Sequence, residues 1–420
     1  MIRNVAAVEC FLSSTAILAL CGLAAADDIT GRVVDTSGKP LAGATVQIST
    51  AAPKVGVSVY CPSCYADCGK HATTDADGKF AIQNLDPSLT FRLVAVVEGH
   101  RAGNSGRIDP LGDKANFQLA PLPSDLDPKQ AVRGRIVDQD GKPVIGAVVS
   151  PVGCKQGDRR WGGSVPGVDA LSITNRNGEF LITASAPADA FDLEVKSPRH
   201  AARRFELVDT GSDVHELHVE IGSFVRGVLL AKGQPVGGAL LGLVQTDRSS
   251  DTFLGEQQIG TRPDGSFEFS YVPDANDYYL YSKMSSSAAD AGSLPLRRVS
   301  IGDGKANIEL GEMEVRPTHS LAGRLELTDG KPIPGPLQLL VDRDGAWDAQ
   351  TAKVEPDGKF RFENVPDSEA VTFSARVPSY RLSADRNYHQ VMNDTSLAMF
   401  VEGSRDDLVL YFEPVDDAKK

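Results

Sequence analysis

Ile29-Thr-Gly-Arg-Val-Val-Asp-Thr-Ser-Gly-Lys-Pro-Leu-Ala-Gly-Ala-Thr-Val46 is echoed without a gap by Val132-Arg-Gly-Arg-Ile-Val-Asp-Gln-Asp-Gly-Lys-Pro-Val-Ile-Gly-Ala-Val-Val149. Looser copies run Val225-Arg-Gly-Val-Leu-Leu-Ala-Lys-Gly-Gln-Pro-Val-Gly-Gly-Ala-Leu240 and Leu321-Ala-Gly-Arg-Leu-Glu-Leu-Thr-Asp-Gly-Lys-Pro-Ile-Pro-Gly335. The leading glycines, Gly31, Gly134, Gly227 and Gly323, recur at a spacing close to the size of one small domain. Each copy opens on a short Val- or Leu-rich strand and turns at Gly or Pro.

A second landmark follows in every copy: Asp75-Ala-Asp-Gly-Lys-Phe80, Asn175-Arg-Asn-Gly-Glu-Phe180, Pro263-Asp-Gly-Ser-Phe267 and Pro356-Asp-Gly-Lys-Phe360. Asp-Gly or Asn-Gly supplies the positive φ of a tight turn, and the Phe begins an alternating apolar face. A third landmark, Asn84-Leu-Asp-Pro87, Tyr271-Val-Pro-Asp274 and Asn364-Val-Pro-Asp367, marks a further turn before another apolar strand. Alternating stretches close the copies at Ala115 to Leu119, Glu216 to Ile221, Asn307 to Leu310 and Asp407 to Phe412. Seven strands or so per copy suffice for a two-sheet sandwich. The sequence thus predicts an all-β chain of four tandem Greek-key β-sandwich modules, at 27–122, 128–222, 223–316 and 317–416. Short connectors such as Pro121 to Pro128 and Gly222-Ser223 suggest that they line up as a semi-rigid rod.

The motifs Gly-Arg-Val-Val-Asp-x-x-Gly-Lys-Pro-Leu-x-Gly-Ala-x-Val and Thr-x-x-Asp-Gly-x-Phe resemble those of carboxypeptidase regulatory-like modules. The resemblance is closest over 29–97 and 132–196. It implies a transthyretin-like, or prealbumin-like, sandwich with a carbohydrate-binding-like fold, and an accessory or adhesive role in exported bacterial proteins. It names no ligand, because a fold by itself does not determine function.

Residues 1–26 read as a signal peptide: Arg3 near the start, an apolar stretch from Phe11 to Leu23, and Ala24-Ala25-Ala26 before Asp27. Export to the periplasm, cell surface or exterior is expected. Cys21 is a poor lipid-attachment site, because Leu20 stands where a small residue is needed. No later stretch has the length of apolar sequence that a membrane-spanning helix requires. The formal net charge of −13 is spread along the chain and opposes nucleic acid as a partner.

The most unusual segment is Tyr60-Cys61-Pro-Ser-Cys64-Tyr-Ala-Asp-Cys68-Gly-Lys-His71, inserted between the first two landmarks of the first copy. With Cys154 they make four cysteines in the mature chain, an even count that favours disulfides in an exported protein, with three pairings open. A local pair would leave the third Cys free to clamp onto Cys154. The sharper alternative is a metal-binding or thiol-redox accessory protein. Cys61, Cys64 and Cys68 with His71 or Cys154 have the donor types for tetrahedral zinc, whereas a redox Cys61-Pro-Ser-Cys64 lacks the helix start that lowers a thiol pKa. Asp75 and Asp77 read as turn residues rather than calcium ligands. His215 and His218 fall on opposite faces of one strand.

Neither His-Glu-x-x-His, nor Gly-x-Ser-x-Gly, nor a phosphate-cradling Gly-x4-Gly-Lys occurs, so no catalytic residue is assigned. For sugar binding the candidates are the two tryptophans, Trp161 beside Gly162 and Gly163, and Trp347 after Asp344 and Gly345. The sequence-based expectation is a non-enzymatic envelope scaffold without a cofactor, binding an envelope protein or polysaccharide.

Overall fold

A computed structural model describes residues 27–249, 253–286, 288–304 and 306–415. The signal-peptide reading of 1–26 lies outside the described residues. The regular structure of the described chain is strand, apart from two one-turn 3-10 helices at Pro128–Gln130 and Ala289–Ala291.

The repeated motifs meet one another in space. Opening strand Asp27–Asp35 lies between Lys79–Leu85, antiparallel to it, and Lys114–Leu119, parallel to it. The same order recurs with Glu179–Thr183, Ala131–Val137 and Val214–His218, with Ser266–Val272, Ser223–Ala231 and Asn307–Glu314, and with Lys359–Pro366, Thr318–Leu327 and Arg405–Pro414.

In every case the leading glycine sits directly opposite the landmark phenylalanine: Gly31 with Phe80, Gly134 with Phe180, Gly227 with Phe267 and Gly323 with Phe360. A Cβ on Gly31 would lie 1.8 Å from the Ala115 carbonyl oxygen and 2.8 Å from the Phe80 ring. The glycine therefore lets its parallel neighbour and the aromatic ring close over the same spot.

Turn chemistry explains the second landmark. The Asp75 carboxylate accepts from the amides of Asp77 and Lys79, at 2.9 and 2.8 Å, and Gly78 takes φ 74° while its carbonyl receives the Val33 amide at 2.8 Å. The third landmark is a bulge: Asn84, Tyr271 and Asn364 have φ near +58°, and each sits where the ladder to the opening strand shifts register. The extra residue moves Leu85, Val272 and Val365 back onto the buried face.

A second sheet faces each of these. In the first repeat it is His71–Thr73, Thr45–Pro53, Leu89–Val96 and Gly103–Asn104, in that order. Ile29, Ile48, Phe80, Ile82, Phe91, Leu93 and Phe117 from both sheets form one buried cluster. Burial of a side chain such as Phe91 contributes about 2–3 kcal/mol. Comparable clusters gather residues 132–219, 225–313 and 321–412. The last has an outside member: Met284, which belongs by sequence to the third repeat, is buried among residues of the fourth.

The single-file rod expected from the short connectors is not what the contacts give. The loop before Cys61 crosses to the third repeat, where the Gly260 amide donates to the Ser58 carbonyl at 2.5 Å and the Arg262 guanidinium lies 5.7 Å from the centre of the Tyr60 ring. The first repeat thus touches the third as well as the second. Its inserted loop supplies a reach that connector length does not report.

Candidate functional site

The Cys-rich loop is pinned to the edge of its own sandwich. The Ala51 amide donates to Pro62 O at 2.7 Å, Gly69 N to Ile48 O at 2.9 Å, and Ile48 N to Lys70 O at 2.9 Å. Lys70 pairs with Asp67 at 2.5 Å, and Asp67 also receives the Asp86 amide. Tyr65 shares a hydrogen bond with Ser58 at 2.5 Å and meets the Tyr60 ring edge-on at 5.2 Å.

Within this frame Cys61 and Cys64 form a disulfide, with their Cα atoms 5.1 Å apart. Cys68 and Cys154 are free and buried in different cores, the first among residues 29–119 and the second among residues 132–219. The expected clamp from the loop to Cys154 is therefore absent. The zinc set Cys61, Cys64, Cys68 and His71 is not assembled either. Two of its sulfurs are bonded to each other, burial pushes the Cys68 thiol up to about 12, and His71 is exposed with Nδ1 3.1 Å from Gly69 O. Burial also pushes the Cys154 thiol up. Among the described residues, no group of three or more His, Cys, Asp or Glu is placed to hold a metal ion.

Trp161 and Trp347 are placed apart. Trp161 lies, partly exposed, on strand Arg159–Gly162 at the edge of the second repeat, paired with Cys154 across the ladder. Trp347 belongs to the junction of the third and fourth repeats: its ring stacks on Phe253 at 5.4 Å, with the Arg248 guanidinium 5.3 Å from its centre. His215 bonds to Asp209 O and His218 to Glu216, so each is engaged locally.

What the structure builds, and no motif announced, is a cleft of about 640 Å³ between three repeats. The first repeat contributes Thr50, Arg92, Arg107 and the Cys61–Cys64 disulfide; the second, Ser150, Glu194, Lys196 and His200; the third, Leu254, Glu256, Gln257 and Tyr271. Polar contacts join the first repeat to the second. Arg101 crosses from the first repeat to the second, donating to Asp169 at 2.7 Å and to the carbonyls of Gly167 and Thr183 at 2.9 and 3.1 Å. Asp169 is itself held by the amide and hydroxyl of Thr183. Gln47 donates to Gly146 O at 2.8 Å across the same junction.

The third and fourth repeats are joined by Arg343, the largest fully buried side chain among the described residues. It donates through two nitrogens to Glu369, both at 2.8 Å, and through a third to Asp348 at 3.1 Å and Ser282 O at 2.6 Å. Tyr281 packs under its guanidinium at 5.3 Å and bonds to Glu256, which also receives Lys283. Burial is the first cause of the raised Tyr281 pKa, and the Glu256 bond adds to it, so this hydroxyl stays protonated. A planar guanidinium satisfied on all sides suits a junction better than a mobile lysine.

None of the curated proteins compared with the chain matches it. Solved structures similar to the chain at low identity include the following three. The Bacillus anthracis TIE protein is 11% identical, covers 91% of this chain and 73% of its own, and has a TM-score of 0.19. GBS52, the minor pilin of Streptococcus agalactiae, is 14% identical over 47% of this chain and 99% of its own, with a TM-score of 0.25. BcpA, the major pilin subunit of Bacillus cereus, is 11% identical over 70% and 99%, with a TM-score of 0.19. Residues 28–119 match the family model described as the carboxypeptidase regulatory-like domain, the family whose pattern the opening repeat carries.

Proposed function

We propose that this chain is an exported, non-catalytic scaffold of four sandwich modules, divided at about residues 122–128, 222–223 and 316–317, which binds an envelope polysaccharide or protein in the cleft walled by its first three modules. The observation that carries this reading is the docking of the Ser58–Tyr60 segment on Gly260 and Arg262 of the third module, which turns a string of domains into one concave surface. Concave sites where domains meet are the usual place for ligands. Export is supported by the Arg3, Phe11–Leu23 and Ala24–Ala26 pattern. Among the described residues no helix is long and apolar enough to cross a membrane.

The test is co-sedimentation of the mature chain with fractionated cell envelopes, beside Gly260→Trp, which fills the space now taken by Val57. The scaffold reading expects the native chain to pellet with one fraction and the variant to lose that binding while keeping its β-sheet circular dichroism. Equal recovery of both proteins from every fraction would remove the cleft from the function.

A further inference from the structure

We propose that the cleft binds a saccharide chain bearing carboxylates, gripped by Arg92 and Arg107; this deepens the scaffold reading above and rests on it. Arg92 lies on strand Leu89–Val96. The residues preceding and following the pair exchange both backbone bonds, Phe91 N to Ile108 O at 2.9 Å and Ile108 N to Phe91 O at 2.8 Å. Arg92 and Arg107 are therefore the next residues along the two facing segments, at the point where the ladder changes register before Val94 and Asn104, and both line the cleft. Two like charges brought onto one wall of a cleft repel.

Nothing in the cleft relieves the repulsion. Both side chains are exposed and line the cleft, and neither makes an ion pair, a side-chain hydrogen bond or a ring contact with any described residue. The other charges there are spent: Lys196 pairs with Glu194, Glu256 receives Lys283 and Tyr281, and burial holds His200 below its ordinary range, favouring the neutral ring. In a chain of net charge −13, two adjacent uncompensated guanidinium groups facing a cavity call for an anion.

The remaining lining narrows the class. Thr50, directly across the ladder from Arg92, and Asn104, Ser150 and Gln257 line the cleft with side-chain groups that make no hydrogen bond to a described residue. Guanidinium forks match planar carboxylates in a two-bond geometry, while hydroxyl and amide groups suit sugar hydroxyls. A uronate chain offers both along one strand.

The experiment is titration calorimetry of the mature chain with a galacturonate tetramer, a neutral glucose tetramer and a glutamate tetramer. Binding of the galacturonate tetramer at least ten times tighter than either control, weakening as salt screens it and falling at least tenfold in Arg92→Gln/Arg107→Gln, supports the proposal. Because both positions are exposed and the substitution removes a like-charge repulsion, the variant's melting temperature should be no lower than the parent's. Equal binding of the glucose tetramer, equal binding of the glutamate tetramer, or undiminished binding by the double variant each overturns it. If the galacturonate tetramer does not bind while an envelope fraction still retains the chain, the uronate proposal falls and the scaffold stands; if neither binds, both fall.

Discussion

Replacing Arg343 with Met should loosen the junction of the third and fourth repeats by about 3 kcal/mol, the lower end of the cost of breaking a buried ion pair by removing one partner. The magnitude follows from what is left behind. Glu369 is 6% exposed and Asp348 is 5% exposed. Without the guanidinium, Glu369 keeps the Leu296 amide at 2.9 Å, and Asp348 keeps the Met284 amide at 2.9 Å with Lys283 at 3.9 Å. Glu369 is then left without a cation, and Asp348 has only an ammonium that already serves Glu256.

Native-state hydrogen exchange is the suitable assay, because a chain with several separate hydrophobic clusters need not unfold in a single step. Amides of Leu337–Arg343 and Asn276–Ser282 should exchange roughly 100-fold faster in Arg343→Met, since every 1.4 kcal/mol is tenfold. Those of Leu89–Val96 should be unchanged. Adding Glu369→Met should recover much of the loss, because a neutral side chain needs no partner. Unchanged exchange at the junction, or a double variant no better than the single, would refute the reasoning that an uncompensated carboxylate is what the substitution exposes.

Gly31→Ala should lower the melting temperature, with a cost of about 1–3 kcal/mol from overpacking against the Ala115 carbonyl, while Gly112→Ala, with open space around it, should not. Mature protein denatured without reductant should take two thiol labels, at Cys68 and Cys154, and native protein should label slowly at both; four labels in the denatured chain would contradict the Cys61–Cys64 disulfide. Removing that disulfide as Cys61→Ser/Cys64→Ser should cost about 2 kcal/mol, given the short loop it closes, and speed proteolysis between Lys54 and Lys70. Burial holds the pKa of His200 and of His389 below the ordinary 6.5. As pH falls below 6.5 the unfolded chain therefore takes up protons before the native one, and stability present above 6.5 is lost. His200→Asn/His389→Asn should flatten the decline in melting temperature between pH 6.5 and about pH 5.

The sequence by itself determined the β architecture, because its signals are local. Two-residue alternation, Asp-Gly and Asn-Gly turns, and a glycine recurring ahead of a phenylalanine each act over a few residues, and the facing of Gly31 with Phe80 follows from the same pattern in every copy. The bulge at Asn84, Tyr271 and Asn364 was legible as a turn-like landmark, though its register shift was not. Cysteine count and spacing left the pairings open. Tertiary structure decided them by burying Cys68 and Cys154 in separate cores, where neither sulfur can reach the other. It also overrode the rod, since the reach of Ser58 to Gly260 depends on how a loop leaves its sandwich rather than on linker length. Arg343 read as one more charged residue, and Arg92 and Arg107 as two unrelated ones. Their roles exist only because separate strands carry them to a buried junction and to one face of a cleft, and a charge takes its meaning from the dielectric and the partners around it.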